Sequence, residues 1–470
     1  MFSLHNRRYT GSKTKLLESI DEALIKHFDY RACENLSFFD VFAGTGVVSE
    51  YFIQKKEFSH LIINDFLESN FVIYKAFFSK ESFDTTKLES YTKAFNELNL
   101  PLNSKKYSHK TIEKDFHTSL ASPTNLEALQ DNYYSLNFGN SFFSLRDSKK
   151  IGFIREELDN LLESKKITKQ EFTILLASLL YSVDRIANTV GHYDAYRKNV
   201  RLQDRFIFML IKPLTLQDKN VEIYKKDSNI LAKQLGQAML PYYTGVSHTT
   251  TKSNKADSHI TQNLQAKDSI KRIQDSLALS MQRLENDKKQ SHCEESFYHS
   301  KDNQESNRKS LDSTKAYNDT IPIKHNATKT IHIAFLDPPY NSRQYSRFYH
   351  LLETLTLNTK PKLYGIAKKP EVNNMSEYCK VGAKEALKDL LDSLKTYTRY
   401  IVMTYNNTRS ANARSNTRIS LNDIQSLLEA IGTTHIHEYN FKAFNSGKTD
   451  TKTSFKEHKE YVFVCEVKTK

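Results

Sequence analysis

The chain has 470 residues with a formal net charge of +13, long enough to bury a sizeable core and basic enough to suit a polyanionic partner. Its four cysteines, Cys33, Cys293, Cys379 and Cys465, stand far apart with no CxxC pair, which argues against a zinc site or a disulfide framework and fits a reducing compartment. No signal peptide and no apolar run of about 18 residues is seen, so a soluble cytoplasmic protein, with no membrane partner and no metal, is expected.

In chain order, Ser37–Ile53 (SFFDVFAGTGVVSEYFI) comes first. It reads as an apolar strand, a Gly44-Thr45-Gly46 turn, and a helix through Val47, Val48, Tyr51 and Phe52. Small residues at the turn let the backbone approach a ligand, and a helix amino terminus follows. A dinucleotide fingerprint would need a third glycine at position 49, which is Ser. A second apolar run, His60–Asp65, ends in an acid placed as the second strand of a βαβ unit would place it. Asp65 suits ribose hydroxyls, and it also suits capping a helix over Phe66–Phe78.

Ser82–Pro213 lacks strand–helix alternation and reads as loops and helices. Thr168 and Glu171 have capping-box spacing, and Ile167 with Phe172 has that of a hydrophobic staple. The helix they start, through Leu175, Leu176, Leu179, Leu180 and Val183, reads as core. Asn137–Arg146 and Asn188–Lys198 mix Asn, Arg, Lys and aromatics on expected loops, from which Asn188 and Arg197 could reach phosphates or base edges. Ser247–Thr320 has no Gly or Pro, few aromatics and a polar composition. It cannot offset its ordering entropy and is expected to be disordered, with one helical pattern through Ile270, Ile273, Leu277, Met281 and Leu284.

Ile331–Tyr340 (IHIAFLDPPY) is the most informative stretch. A β-branched run predicts a buried strand, and the two prolines stop the ladder after Asp337. Asp337 and Tyr340 are thus expected at the carboxyl end of a sheet strand, where open α/β sheets bind ligands. A carboxylate, a carbonyl beside a proline nitrogen and an aromatic plate suit a flat, amine-bearing ring such as a nucleobase. Beyond it, a helix over Tyr345–Leu357 and a strand over Arg399–Tyr405 are predicted. A helix should start at Ser420-Leu-Asn-Asp423 and end at Gly432. Thr433–Tyr439 and Lys459–Val467 should close the sheet as paired strands. Lys442, Lys448, Lys452, Lys456 and Lys459 lie on or beside a loop that reads as phosphate-facing or simply solvated.

The joint order of these motifs resembles the alpha group of N6-adenine DNA methyltransferases, the restriction–modification type. Arg8–Lys13 resembles the motif that closes over the methionine end of S-adenosyl-L-methionine. Phe39–Gly46 resembles the cofactor loop, Asn64-Asp65 the ribose-binding acid, and Asp337–Tyr340 the catalytic tetrad. Val221–Ile230 is a looser match, with Asp227 near the cofactor adenine. Ile186–Tyr196 and the stretch after the tetrad also look like type II members. The resemblance covers most of residues 1–241 and 328–470.

The resemblance implies a Rossmann-like α/β fold with a mostly parallel, doubly wound sheet, an antiparallel closing strand and an inserted, mainly helical recognition domain. The expected division is 1–80 and 329–470 for the methyltransferase domain, 81–215 for target recognition, 216–245 for one further sheet strand, and 246–328 for a polar insertion with a helix near 266–285. It implies Tyr9, Gly11, Lys13, Asp40, Phe42, Gly44, Gly46, Asp65 and Asp227 at the cofactor. Asp337, Pro338 and Tyr340 would be catalytic, and Pro339, Asn341, Tyr345, Asn188 and Arg197 would touch substrate. Double-stranded DNA is the implied partner, with a restriction endonuclease as functional counterpart. Three rivals are an RNA adenine methyltransferase, a cytosine-N4 enzyme, disfavoured because that type usually carries Ser in place of Asp337, and a DNA-binding relative with a decayed cofactor pocket.

Overall fold

The computed structural model describes residues 4–98, 130–189, 191–216, 218–239, 330–339, 342–371, 375–406, 418–440 and 459–468. The apolar runs become seven strands: β1 (Leu36–Asp40), β2 (Phe58–Asp65), β3 (Asn220–Lys225), β4 (Ile331–Leu336), β5 (Thr398–Asn406), β6 (Gly432–Asn440) and β7 (Lys459–Val467). They form one sheet in the order β3-β2-β1-β4-β5-β7-β6. The first five pair in parallel, and β7 lies antiparallel between β5 and β6. The central strands are covered on both faces, which is why β1 is buried at every position and reads as a continuous apolar run. Alternate residues serve opposite layers: Phe38, Ile63 and Phe335 pack with one set of helices, and Phe39, Ile62 and Leu336 with the other.

Strand order reverses between β1 and β4. From β1 the chain steps outward to β2 and β3, and from β4 outward to β5. The carboxyl ends of β1 and β4 therefore diverge into a crevice, the usual ligand position in such sheets.

Among the described residues of 82–213, helices span Thr85–Glu97, Tyr133–Phe138, Leu145–Glu163 and Lys169–Ile186. They do not keep a separate core. Tyr91, Ile151, Leu158 and Leu175 join the apolar layer that includes Phe71 and Phe77 of helix Glu68–Phe78. The Thr168 hydroxyl accepts the Glu171 N–H at 3.1 Å, and the Glu171 carboxylate accepts the Thr168 N–H at 2.8 Å, completing the expected box.

Four local expectations change. Asn137–Arg146 is only partly loop: it holds the end of helix Tyr133–Phe138 and the start of helix Leu145–Glu163, each capped by a side chain, Asn132 and Ser144. Tyr345–Leu357 is two helices, Tyr345–Phe348 and His350–Leu357, broken at Tyr349, whose ring is held by other partners. The helix before Gly432 is Leu421–Glu429, and Gly432 opens β6 instead of ending that helix. A Cβ at Gly432 would lie 2.2 Å from the Glu466 carbonyl oxygen, so close strand pairing is what requires glycine there. Asp65 is not the helix cap: it lies two positions before the N-cap, Leu67, because the helix begins two residues later than Phe66–Phe78 implies. It accepts the Leu67 N–H at 2.9 Å, and the helix proper is Glu68–Phe78. The helical pattern at 266–285 and the lysines at 442–456 lie outside the described residues. Among the described residues no helix is long and apolar enough to cross a membrane, and no group of three or more His, Cys, Asp or Glu could hold a metal ion.

Candidate active site

The site is built from strand ends. Asn64, at the end of β2, donates through its amide to Val41 O at 3.2 Å and Lys226 O at 3.1 Å, and accepts the Lys226 N–H at 3.0 Å. It ties together the segments that leave β1 and β3. Asp65 accepts the Gly44 N–H at 2.8 Å, fastening the glycine turn to β2. Gly44 and Gly46 have φ of +53° and +82°, which favour glycine. A Cβ on Gly44 would sit 3.2 Å from the Tyr9 ring, and one on Gly46 3.0 Å from Tyr74, so the turn is also closely overlaid. Arg7 donates to Gly44 O at 3.2 Å and Thr45 O at 3.0 Å, and the Tyr74 hydroxyl donates to Gly44 O at 2.6 Å. The next helix, Val47–Ile53, thus starts from a fixed point.

The amino-terminal motif lies over this turn on an aromatic bed. Tyr9 stacks on Tyr349 with ring centroids 4.5 Å apart and planes 2° from parallel, and it tilts 30° to Tyr345 at 5.7 Å. The Tyr349 hydroxyl accepts the Thr10 N–H at 2.7 Å. These contacts hold Tyr349 in the break between its two helices.

Lys13 is buried, only 4% exposed, and its ammonium stands 2.8 Å from Asp337 and 3.2 Å from Glu460 of β7, while donating to Gly11 O at 3.1 Å. The Thr404 hydroxyl, on β5, donates to the other Asp337 oxygen at 3.0 Å. Burial pushes the Asp337 carboxyl above its ordinary value and nearby Glu460 adds to this; the Lys13 charge and the Thr404 hydrogen bond pull it back down.

These parts surround one cavity of about 900 Å³, open solvent at its mouth included. Its wall includes Tyr9, Gly11, Lys13, Phe42, Gly44, Asp65, Asp227, Asp337, Pro339 and Tyr345 of the expected residues. Asp227 also caps helix Ser228–Met239, its Oδ1 accepting the Asn229 and Ile230 N–H groups at 3.0 and 3.1 Å.

Other expected residues lie elsewhere. Asp40 is fully buried behind the turn and accepts the Ser49 hydroxyl at 2.7 Å. Burial pushes its carboxyl up to about 7. Gly46 supports the turn from behind and Pro338 is buried; neither is part of the cavity wall. Asn188 is away from the cavity, its amide bracing Ser141 O and Arg197 O at 2.9 Å each, and Arg197 is exposed on the same loop. Tyr340 and Asn341 lie outside the described residues. Thr404 and Glu460, polar residues inside two apolar strands, were not expected at the site; a lone acid at the head of β7 was the one available signal.

A glycine turn under a helix start, with acids at the tips of β2, β3 and β4 around one crevice, defines an α/β protein built to hold a nucleoside-like ligand beside a second reactant. A profile of the D12 class N6 adenine-specific DNA methyltransferase family matches residues 9–259 and 295–416. The chain belongs to that family. It is 24% identical to Modification methylase StsI of Streptococcus sanguinis, over 85% of this chain and 44% of that protein. It is 25% identical to Type II methyltransferase M.FokI of Planomicrobium okeanokoites, over 97% of this chain and 52% of that one. With Type II methyltransferase M.NlaIII of Neisseria lactamica it shares 27% identity over 49% of this chain and 62% of the relative. The chain thus spans about half the length of the first two relatives.

Proposed function

We propose that the chain transfers the methyl group of S-adenosyl-L-methionine to the N6 amino group of adenine in a specific double-stranded DNA sequence. The observation that carries this reading is the Asp337 carboxylate, at the carboxyl end of β4, lining the same cavity as the Gly44 turn.

The cavity suits this cofactor. Asp65 and Asp227, at neighbouring strand tips, offer carboxylates to hydroxyl and amine donors, with Phe42 as an apolar wall. A side chain at Gly44 would fill the gap beneath Tyr9. Tyr9, Gly11 and Lys13 would close over the cofactor's amino-acid end, while Asp40 and Gly46 support the turn from behind. When bound, the cofactor supplies an activated methyl group on a sulfonium.

The remaining chemistry belongs to the chain's own groups. The adenine amine is a poor nucleophile because its lone pair is delocalised into the ring. The Asp337 carboxylate and the carbonyl of Pro338, which sits between the wall residues Asp337 and Pro339, would accept its two N–H bonds, which localises the lone pair and stabilises positive charge on nitrogen. The Lys13 charge favours the ionised form of Asp337, opposing the effect of burial. The base must leave the duplex to be reached. Tyr340 would stack on it, with Pro339, Asn341 and Tyr345 around it; such stacking contributes about 1–3 kcal/mol. Asn188, Arg197 and the helical region 81–215 would contribute target recognition. In a restriction–modification pair, the mark would protect that sequence from a cognate endonuclease.

The test supplies S-adenosyl-L-methionine with duplex DNA, and with ribosomal RNA in parallel, followed by mass spectrometry of the nucleosides and sequencing of modified bases. N6-methyladenine in DNA at one sequence is expected. Asp337→Ala should lower the rate by on the order of 10²–10³-fold or more while cofactor binding by calorimetry stays near wild type. Wild-type activity in that variant, or methylation confined to RNA, overturns the reading.

A further inference from the structure

Beside the cavity stands a hairpin whose tip has no packing explanation. Tyr364 N–H donates to Lys369 O at 2.8 Å and Lys369 N–H to Tyr364 O at 3.0 Å, closing the turn Gly365–Lys368. Both arms are braced. The Tyr133 hydroxyl donates to Pro361 O at 2.6 Å, Arg347 donates to Pro370 O at 2.7 Å, and Lys369 pairs with Asp194. The hairpin is hung from the cavity wall: Arg347 follows the wall residue Gln344, and the chain returns to the wall at Ser376, which exchanges hydrogen bonds with the Gln344 amide at 2.7 and 3.1 Å.

The tip itself is open. A side chain on Gly365, where φ is +68°, would meet nothing within 4 Å. Ile366 is 72% exposed and Tyr364 45%. Two large apolar groups held in water on a braced turn are costly unless something covers them. The same short segment carries Lys360, Lys362, Lys368 and Lys369 against Glu371, and the Lys362 ammonium lies 5.5 Å over the Tyr364 ring. A tip this narrow is too small for a stable protein interface, which needs roughly 800 Å² per partner. A basic rim around a small apolar wedge fits a nucleic-acid duplex.

We propose that this hairpin enters the DNA: Ile366 and Tyr364 occupy the stack beside the extruded adenine, and Lys362 and Lys368 take the adjoining phosphates. The proposal rests on the reading of the chain as a DNA adenine methyltransferase. Its test uses the full chain, a duplex of the sequence mapped above, and the same duplex with a mismatch opposite the target adenine, which lowers the cost of extrusion. Ile366→Ala should lose activity about tenfold to a hundredfold on the paired duplex, in line with a lost stacking contact, and regain most of it on the mismatched one. Its melting temperature and cofactor affinity should match wild type. Lys362→Ala with Lys368→Ala should lessen the salt dependence of DNA binding by a slope of about 2. An Ile366→Ala variant as active as wild type on the paired duplex, or equally impaired on both, overturns the wedge alone. A wild-type chain that methylates no DNA overturns the functional reading beneath it.

Discussion

At the residue scale, Lys13 stands between two carboxylates and opposes the upward push that burial gives one of them, Asp337. In the proposed role Asp337 must be ionised to accept the N–H bonds of an amine, and its buried carboxyl is already raised above the ordinary value. The rate should therefore fall as pH drops through that raised value, earlier than for an exposed carboxylate. Removing Lys13 takes away the main opposing charge, so Lys13→Ala should move the acid limb of the pH–rate profile upward. Glu460 acts in the raising direction, so Glu460→Gln should move the limb downward. Profiles at saturating cofactor check both, and limbs moving in the same direction would contradict this account. Part of the cavity wall was legible because Gly44, Asp65, Asp337 and Pro339 each sit where a local pattern marks a strand end, while Asp227 came only with the family resemblance. Thr404 and Glu460 were not, because they meet Asp337 and Lys13 only through the lateral order of β4, β5 and β7, which periodicity does not encode. Asp40 and Gly46 belong to the right motif but support the turn instead of lining the cavity.

At the element scale, helix Glu68–Phe78 has no cap of its own. Its N-cap is Leu67, and its first turn is closed from another helix: Glu353 accepts the Glu68 N–H at 3.0 Å and the Ser69 N–H at 2.8 Å. Two helices on one sheet face are thereby locked together by a single carboxylate, which burial pushes up to about 7. Glu353→Ala strands both donors, at a cost of about 1–3 kcal/mol for each group left unsatisfied. A lower urea midpoint with unchanged m-value is the expected result, and an unchanged midpoint would show that another group replaces the cap. Elements were read well wherever side chains carry their own boundary signal, as at Thr168 with Glu171 or Ser420 with Asp423. They were misread where the boundary is imposed from outside. Tyr349 breaks its helix because Tyr9 and Thr10 hold its ring and hydroxyl, and Gly432 serves the pairing of β6 with β7 rather than the helix before it.

At the scale of the whole molecule, the amino-terminal motif couples the cavity to the helical region. Arg8 donates through its guanidinium to Asp184 O, Ala187 O and Thr189 O, each at 2.9 Å, and its N–H reaches the Asp184 carboxylate at 3.0 Å. Arg8→Ala should lower the melting temperature and also weaken S-adenosyl-L-methionine binding, because Tyr9 and Lys13 lose their anchor. Calorimetry of the two effects checks this, and intact cofactor affinity would show that the motif holds without its tether. The long reach of these contacts carries a cost during synthesis. Asp40 ends β1, yet the strand that covers its inner edge begins only at Ile331, and Lys13 meets Glu460 later still. A nascent chain must carry the bare edge of β1 through most of translation before its neighbour exists. The strand order therefore predicts that products truncated before Ile331 aggregate more readily than the full chain, which a sedimentation assay of the two would check.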